Sequence, residues 1–220
     1  MSLSHFQTLH LEHLPPAYDL HIALYHNVTN VKFLKEQLLA GNTDFEYAMI
    51  DTSVILSRIH VLAAAHRAVN DLLENRMRSR NVHSEIVFSL SPNPNIAHSF
   101  KTFGITENTT SLLILKLSTP TSPFLSSAVQ AHLLSSIEGE NVPFTDEILA
   151  EGCDVKKVRK AYKLGAVTGP AKTGVKKNKN VHGEMVYVGS GSGGNGMVGD
   201  ERRELEVSVL AAMALRSVTN

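Results

Sequence analysis

The chain has 220 residues, 43 % of them hydrophobic and 6 % aromatic, which is enough for one sizeable core. Lysine plus arginine and aspartate plus glutamate both number 21, so no global charge draws the whole molecule onto nucleic acid. A single cysteine, Cys153, excludes an internal disulfide and fits a reducing compartment.

The opening MSLSHFQTLHLEHL has neither a basic n-region nor a continuous apolar run, and no eighteen-residue apolar stretch follows. An intracellular chain is expected. Residues 18–26 alternate loosely and suit a strand, leading to a helix over Asn30–Ala40 that Gly41 stops. Residues 45–50 read as a short apolar link. Asp51 or Thr52 is then expected to cap a long helix through about Glu74, with Arg76, Arg78 and Arg80 at its exit. From Val82 to Leu90 the side chains fall into two rows, Val82, Ser84, Ile86, Phe88 and Leu90 against His83, Glu85, Val87 and Ser89, which predicts a strand.

The turn SPNPN at 91–95 ends on an Asn that caps a short helix, IAHSFKTF, closed by Gly104. SLLILKL at 111–117 reads as a buried strand, TPTSP at 119–123 as the start of a helix through Ile137, and 145–164 as helical with basic residues outward. Residues 165–180 are rich in Gly, Ala and Lys, and six of the eleven residues from Gly189 to Gly199 are glycine, a composition that supplies no core. A final helix spans about Glu201–Ser217. The pattern predicts an α/β domain (α+β by some schemes), a central mixed sheet covered by helices. It occupies 1–220 as a single unit, with 165–200 an insertion, flexible or partly ordered, before the C-terminal helix.

At 100° per residue the helix from Thr52 has a narrow polar stripe of His60, Arg67, Asp71 and Glu74. One apolar side carries Ile55, Ile59, Leu62, Val69 and Leu73; the other carries Val61, Ala64, Ala65, Ala68 and Leu72. The last helix is similarly apolar through Leu205, Val209, Leu210, Met213 and Ala214. Two readings stay open: the helices seal each other against the sheet, or they leave apolar surface for another protein.

NVHSEIVF at 81–88 returns as NVHGEMVY at 180–187. On strands, His83 with Glu85 and His182 with Glu184 would each share a face, and neighbouring copies could surround a metal. Without a cysteine pair or an HExxH helix, a half-buried polar sheet face is the plainer reading. Cys153 has no evident base beside it, and GSGSGGNG lacks the GK[ST] of a phosphate loop, so no catalytic, metal or cofactor site is assigned. Residues 151–180 hold nine Lys or Arg against Glu151 and Asp154, and could track a phosphate backbone as a nucleic-acid-binding module. KKNK at 176–179 is a weak nuclear signal.

IDTSVILSRIHVLAAAHRAV (50–69), RNVHSEIVFSLSPNPNIAHSFKTFGI (80–105), SLLILKL (111–117) and DVKKVRKAYKL (154–164) together resemble one family. It is the small accessory subunit of the EKC/KEOPS complex, which includes the PRPK-binding protein TPRKB and fungal and archaeal relatives. The resemblance spans roughly 20–164 and 201–218. It implies a helix-covered α/β domain without catalysis of its own and without cofactor. Such a domain binds the small PRPK-type kinase or ATPase of the complex and regulates threonylcarbamoyl transfer to the adenosine beside the anticodon in tRNAs reading codons that begin with A. Archaeal relatives hold the tRNA 3' end, and fungal complexes are tied to telomeres, so the nucleus is the implied location, with the cytoplasm as a second. On this chain the resemblance points to Val61, Ala64, Ala68, Leu210 and Ala214 for the kinase partner. It points to Arg80, Asn81, His83 and Lys101 for tRNA. The 165–200 segment departs from the family pattern.

Overall fold

The computed structural model describes residues 5–165 and 199–216. In chain order these form β1 (Gln7–His10), β2 (Asp19–His26), α1 (Val31–Ala40), β3 (Ala48–Asp51), α2 (Arg58–Leu73), α3 (Val82–Leu90), α4 (Ile96–Phe103), β4 (Leu112–Leu117), α5 (Ser126–Ser136), β5 (Glu140–Val142), α6 (Asp146–Gly152), α7 (Val155–Ala161) and α8 (Gly199–Leu215). The fold is the predicted α/β domain with a helix-covered central sheet. The described strand pairs are all antiparallel, however, so within that class the sheet is not mixed.

Strand β2 is the axis of the sheet. Its residues Leu20–Tyr25 pair with β4 on one edge, while β1 and β5 follow each other along the opposite edge. β3 pairs with the far side of β4. Alternation sends Leu20, Ile22, Leu24, Ile50, Leu113 and Leu115 to one face, where α2, α3 and α8 cover them. Ala23, Tyr25, Met49, Leu112 and Ile114 go to the other, under α1 and α5.

Several local predictions change, each for a physical reason. The apolar link 45–50 contains the strand β3, whose four residues are too few to show alternation. Asp51 does accept a cap bond, from the Ser53 amide at 2.8 Å, but it caps a 3-10 turn over Thr52–Val54. Ile55 and Leu56 then run buried beside the sheet, and the helix proper starts after Ser57, whose Oγ accepts from the His60 amide at 3.3 Å. The predicted 145–164 helix is two, because Asp154 turns to cap α7 by accepting from the Lys156 and Lys157 amides.

The largest correction is α3, predicted as a strand. Asn81 Oδ1 accepts from the Ser84 amide at 2.8 Å, an N-cap, and eight of the nine helical residues are buried. An element that is buried on nearly all sides carries no readable period, so apparent alternation decided nothing. The NVHGEMVY copy with His182 and Glu184, the GSGSGGNG loop and nearly all of the 165–200 segment lie outside the described residues.

Polar keys fix the helices. The Arg202 guanidinium donates to the Leu56 carbonyl at 2.5 Å and the Arg67 guanidinium to the Met213 carbonyl at 2.7 Å. Both pairs are separated by 146 residues, so α2 and α8 run parallel and side by side. Arg216, buried over the Phe88 ring at 4.1 Å, donates to the Phe88 and Ser91 carbonyls and so satisfies the C-terminal end of α3.

His60 belongs to no solvent stripe. Its Nδ1 accepts from the Leu56 amide at 3.3 Å, which leaves the proton on Nε2 to donate to the Tyr162 hydroxyl at 2.6 Å; that hydroxyl donates in turn to the Leu90 carbonyl. Burial pushes the His60 pKa down to about 3.

Candidate functional site

Three of the four polar residues of α3, His83, Glu85 and Ser89, turn inward. Residues two apart on a helix stand about 200° apart, so His83 and Glu85 diverge and cannot share a ligand. The Leu117 amide donates to His83 Nε2 at 3.0 Å, at the point where β4 runs on past the end of β3. The imidazole takes the place of a missing strand partner. Burial, then Lys116, pushes its pKa down to about 3.

Glu85, also buried, accepts from the Arg78 amide at 3.0 Å, the Ser79 amide at 2.7 Å and the Ser79 hydroxyl at 2.5 Å. It shapes the 78–80 loop that carries the arginines. Among the described residues no group of three or more His, Cys, Asp or Glu could hold a metal ion. Cys153 is buried, and that burial pushes its thiol up to about 11, away from nucleophilic use.

Of the four residues assigned to tRNA, His83 is spent inside the fold and Asn81 is half-buried as the α3 cap. Arg80 and Lys101 are exposed, and Lys101 lines a groove. Ser84 and Val87 of α3 form its floor with Met49, Leu38 and Leu39 of α1 form one wall, and Phe100 and Lys101 of α4 the other; its volume is about 450 Å³. Arg80 lies at the end of α1, where a Cβ on Gly41 would stand 3.4 Å from Nη1. Lys35, on the rim, is 3.6 Å from Glu107. Apolar walls, a half-exposed phenyl ring and two lysines at the edge suit a planar base followed by a phosphate. No pattern along the chain points to Leu38, Leu39 or Phe100, because α1 and α4 meet only in the fold.

The residues assigned to the kinase partner divide. Val61, Ala64 and Ala68 are fully buried in the core that α2 shares with the sheet, α3 and α8, so no partner reaches them on this surface. Leu210 is half-buried and Ala214 exposed. The surplus apolar surface of the two parallel helices lies on their outer sides: Ile59 at 51 % exposure with Leu62 and Ala63 on α2, and Val207 at 61 % with Leu210, Ala211 and Ala214 on α8. Both faces of α2 are apolar, and it is the small-residue face that packs into the core with the sheet, α3 and α8.

A helix-covered antiparallel sheet with an outward apolar seam, a basic-rimmed groove and inward-turned polar residues defines an accessory binding domain. Residues 25–217 match the model of the family described as kinase binding protein CGI-121, and the chain belongs to that family. It is 48 % identical over 213 residues, 97 % of each chain, to the EKC/KEOPS complex subunit cgi121 of Aspergillus fumigatus. It is 47 % identical over 216 residues, 98 % of this chain and 99 % of the relative, to the subunit of that name from Aspergillus terreus. The Schizosaccharomyces pombe subunit is 32 % identical over 153 residues, 70 % of this chain and 86 % of its own. Family membership carries an accessory, regulatory role.

Proposed function

We propose that the chain is a noncatalytic regulatory subunit of the EKC/KEOPS complex. In this reading it binds the small PRPK-type kinase or ATPase subunit and promotes threonylcarbamoyl transfer to the adenosine next to the anticodon in tRNAs reading codons that begin with A. The observation that carries the reading is the near full-length match to subunits of that complex, joined to an apolar seam that the fold itself leaves uncovered. Ile59, Leu62, Val207, Leu210 and Ala214 meet the kinase. Their contacts give the nonpolar centre that stable protein interfaces need, and the buried alanines let α2 seat closely against the rest of its own fold.

The basic-rimmed groove holds the tRNA 3' end. Phe100 stacks on a terminal base while Lys101, Lys35 and Arg80 meet its phosphates. The subunit works in the nucleus, with a cytoplasmic share, which a fluorescent fusion expressed in a fungal cell tests.

The deciding experiment is association of the purified chain with the small kinase subunit by calorimetry and gel filtration. Val207→Asp and Ile59→Asp, both at exposed positions, are expected to weaken binding by at least 10-fold, about 1.4 kcal/mol, with unchanged circular dichroism. Wild-type affinity in both variants overturns the seam as the interface. For the groove, Phe100→Ala is expected to weaken binding of a short 3'-terminal oligonucleotide by about 1–3 kcal/mol.

A further inference from the structure

Helix α4 is a wall with two sides. Phe100 and Lys101 face the groove, and His98 and Thr102 face a second cleft of about 250 Å³, closed by Lys157, Lys160 and Ala161 of α7. Lys101, Lys156, Lys157, Lys160 and Lys163 are all exposed. None of these five forms an ion pair with a described residue. Elsewhere Lys35 pairs with Glu107, Arg67 with Asp71, and Arg76 with Asp71 and Glu74, whereas Lys157 Nζ donates only to the neutral Ser53 hydroxyl, at 3.2 Å. The carboxylate nearest these lysines in sequence, Asp154, is occupied as the α7 cap. The α4–α7 ridge therefore concentrates uncompensated positive charge in a protein whose formal net charge is +0.

We propose that this cleft carries backbone phosphates of the same RNA strand whose 3' end sits in the groove, a few nucleotides before the terminus. The inference rests on the groove reading above. A helix with its side chains is about 10 Å across, and a strand rises about 3.4 Å per stacked nucleotide. A strand crossing α4 thus covers the separation in about three nucleotides. Among the described residues no carboxylate lines the cleft; Lys157 and Lys160 stand beside the neutral side chains of Val54, Thr102 and Ala161, with the His98 imidazole as its one ring, a lining that suits phosphates. The terminal base is recognised on one side of α4, and the strand is held by charge on the other. Flexible lysines suit that second task, since each is a point charge that follows the backbone without a fixed hydrogen-bond geometry.

The test compares two probes against the full chain by fluorescence anisotropy, at several salt concentrations between about 50 and 200 mM. One is a 3'-terminal trinucleotide; the other is a hairpin RNA with a four-nucleotide single-stranded 3' overhang. The double variant Lys157→Glu/Lys160→Glu is expected to lose at least 10-fold in affinity for the hairpin and to flatten its salt slope by about 1.5 to 2, while the trinucleotide binds as to wild type. Unchanged hairpin affinity and slope, with the trinucleotide still bound, overturn the cleft and leave the groove standing. A wild-type chain that ignores the trinucleotide overturns the groove and this inference together. Loss of kinase association in the double variant, with hairpin binding intact, assigns the ridge to a protein partner and also overturns it.

Discussion

Acidification should destabilise this fold through two histidines that it holds neutral. His60 and His83 are both deeply buried, each with a pKa pushed from 6.5 to about 3 by burial. Below pH 6.5 the unfolded chain takes a proton on each imidazole and the folded chain does not. The unfolded state then binds more protons, so stability falls as pH falls, down to about pH 3. At about 1.4 kcal/mol per pH unit per group, the pair removes about 4 kcal/mol between pH 7 and pH 5, a large share of the total for an ordinary domain. Urea unfolding at constant ionic strength across this range measures it. His83→Gln keeps an acceptor for the Leu117 amide but removes one titrating ring, so its stability should fall with about half the slope from this pair. If wild type and His83→Gln lose stability in parallel, the buried, neutral placement of His83 is wrong.

Three further outcomes follow from the same packing. Tyr162→Phe strands both His60 Nε2 and the Leu90 carbonyl without a partner and should cost about 2–4 kcal/mol in chemical denaturation. Ala68→Asp places a carboxylate where α2 is sealed and should leave little folded protein by circular dichroism, whereas Val207→Asp should fold normally. Gly41→Ala should cost about 1 kcal/mol for its φ of +70°, and should leave short-oligonucleotide binding unchanged, because the added Cβ stands at ordinary contact distance, 3.4 Å, from the Arg80 guanidinium. Thermal melts and anisotropy check the two parts of that last effect.

The sequence made legible what short-range chemistry dictates. Gly41 ends α1, Asn95 caps α4, and the apolar run 112–117 is a buried strand, each at or close to its predicted place. What stayed hidden depended on surroundings. Asp51 and Ser57 are equally good caps in isolation, and only the burial of Ile55 and Leu56 beside the sheet makes the second start the long helix. Both faces of α2 are apolar, so the period along the chain did not say which one the core would take, and with it the fate of Val61, Ala64 and Ala68. α3 misled through its own burial. Arg80 and Lys101 could be picked out as charged residues close to a distinctive motif, but the groove that Lys101 lines is made by α1 and α4, which no pattern along the chain brings together.

His83 bonds a strand amide on one flank of α3, while Glu85 holds a loop on the other. The helix is therefore keyed twice and has little freedom to roll about its axis. Ser84 and Val87, which face the groove, are pre-set before any ligand arrives, so an incoming strand meets a floor already in its bound shape and need only order its own nucleotides and the lysines at the edge. Loosening either key would tax affinity from a distance, through a wall that no longer stands still.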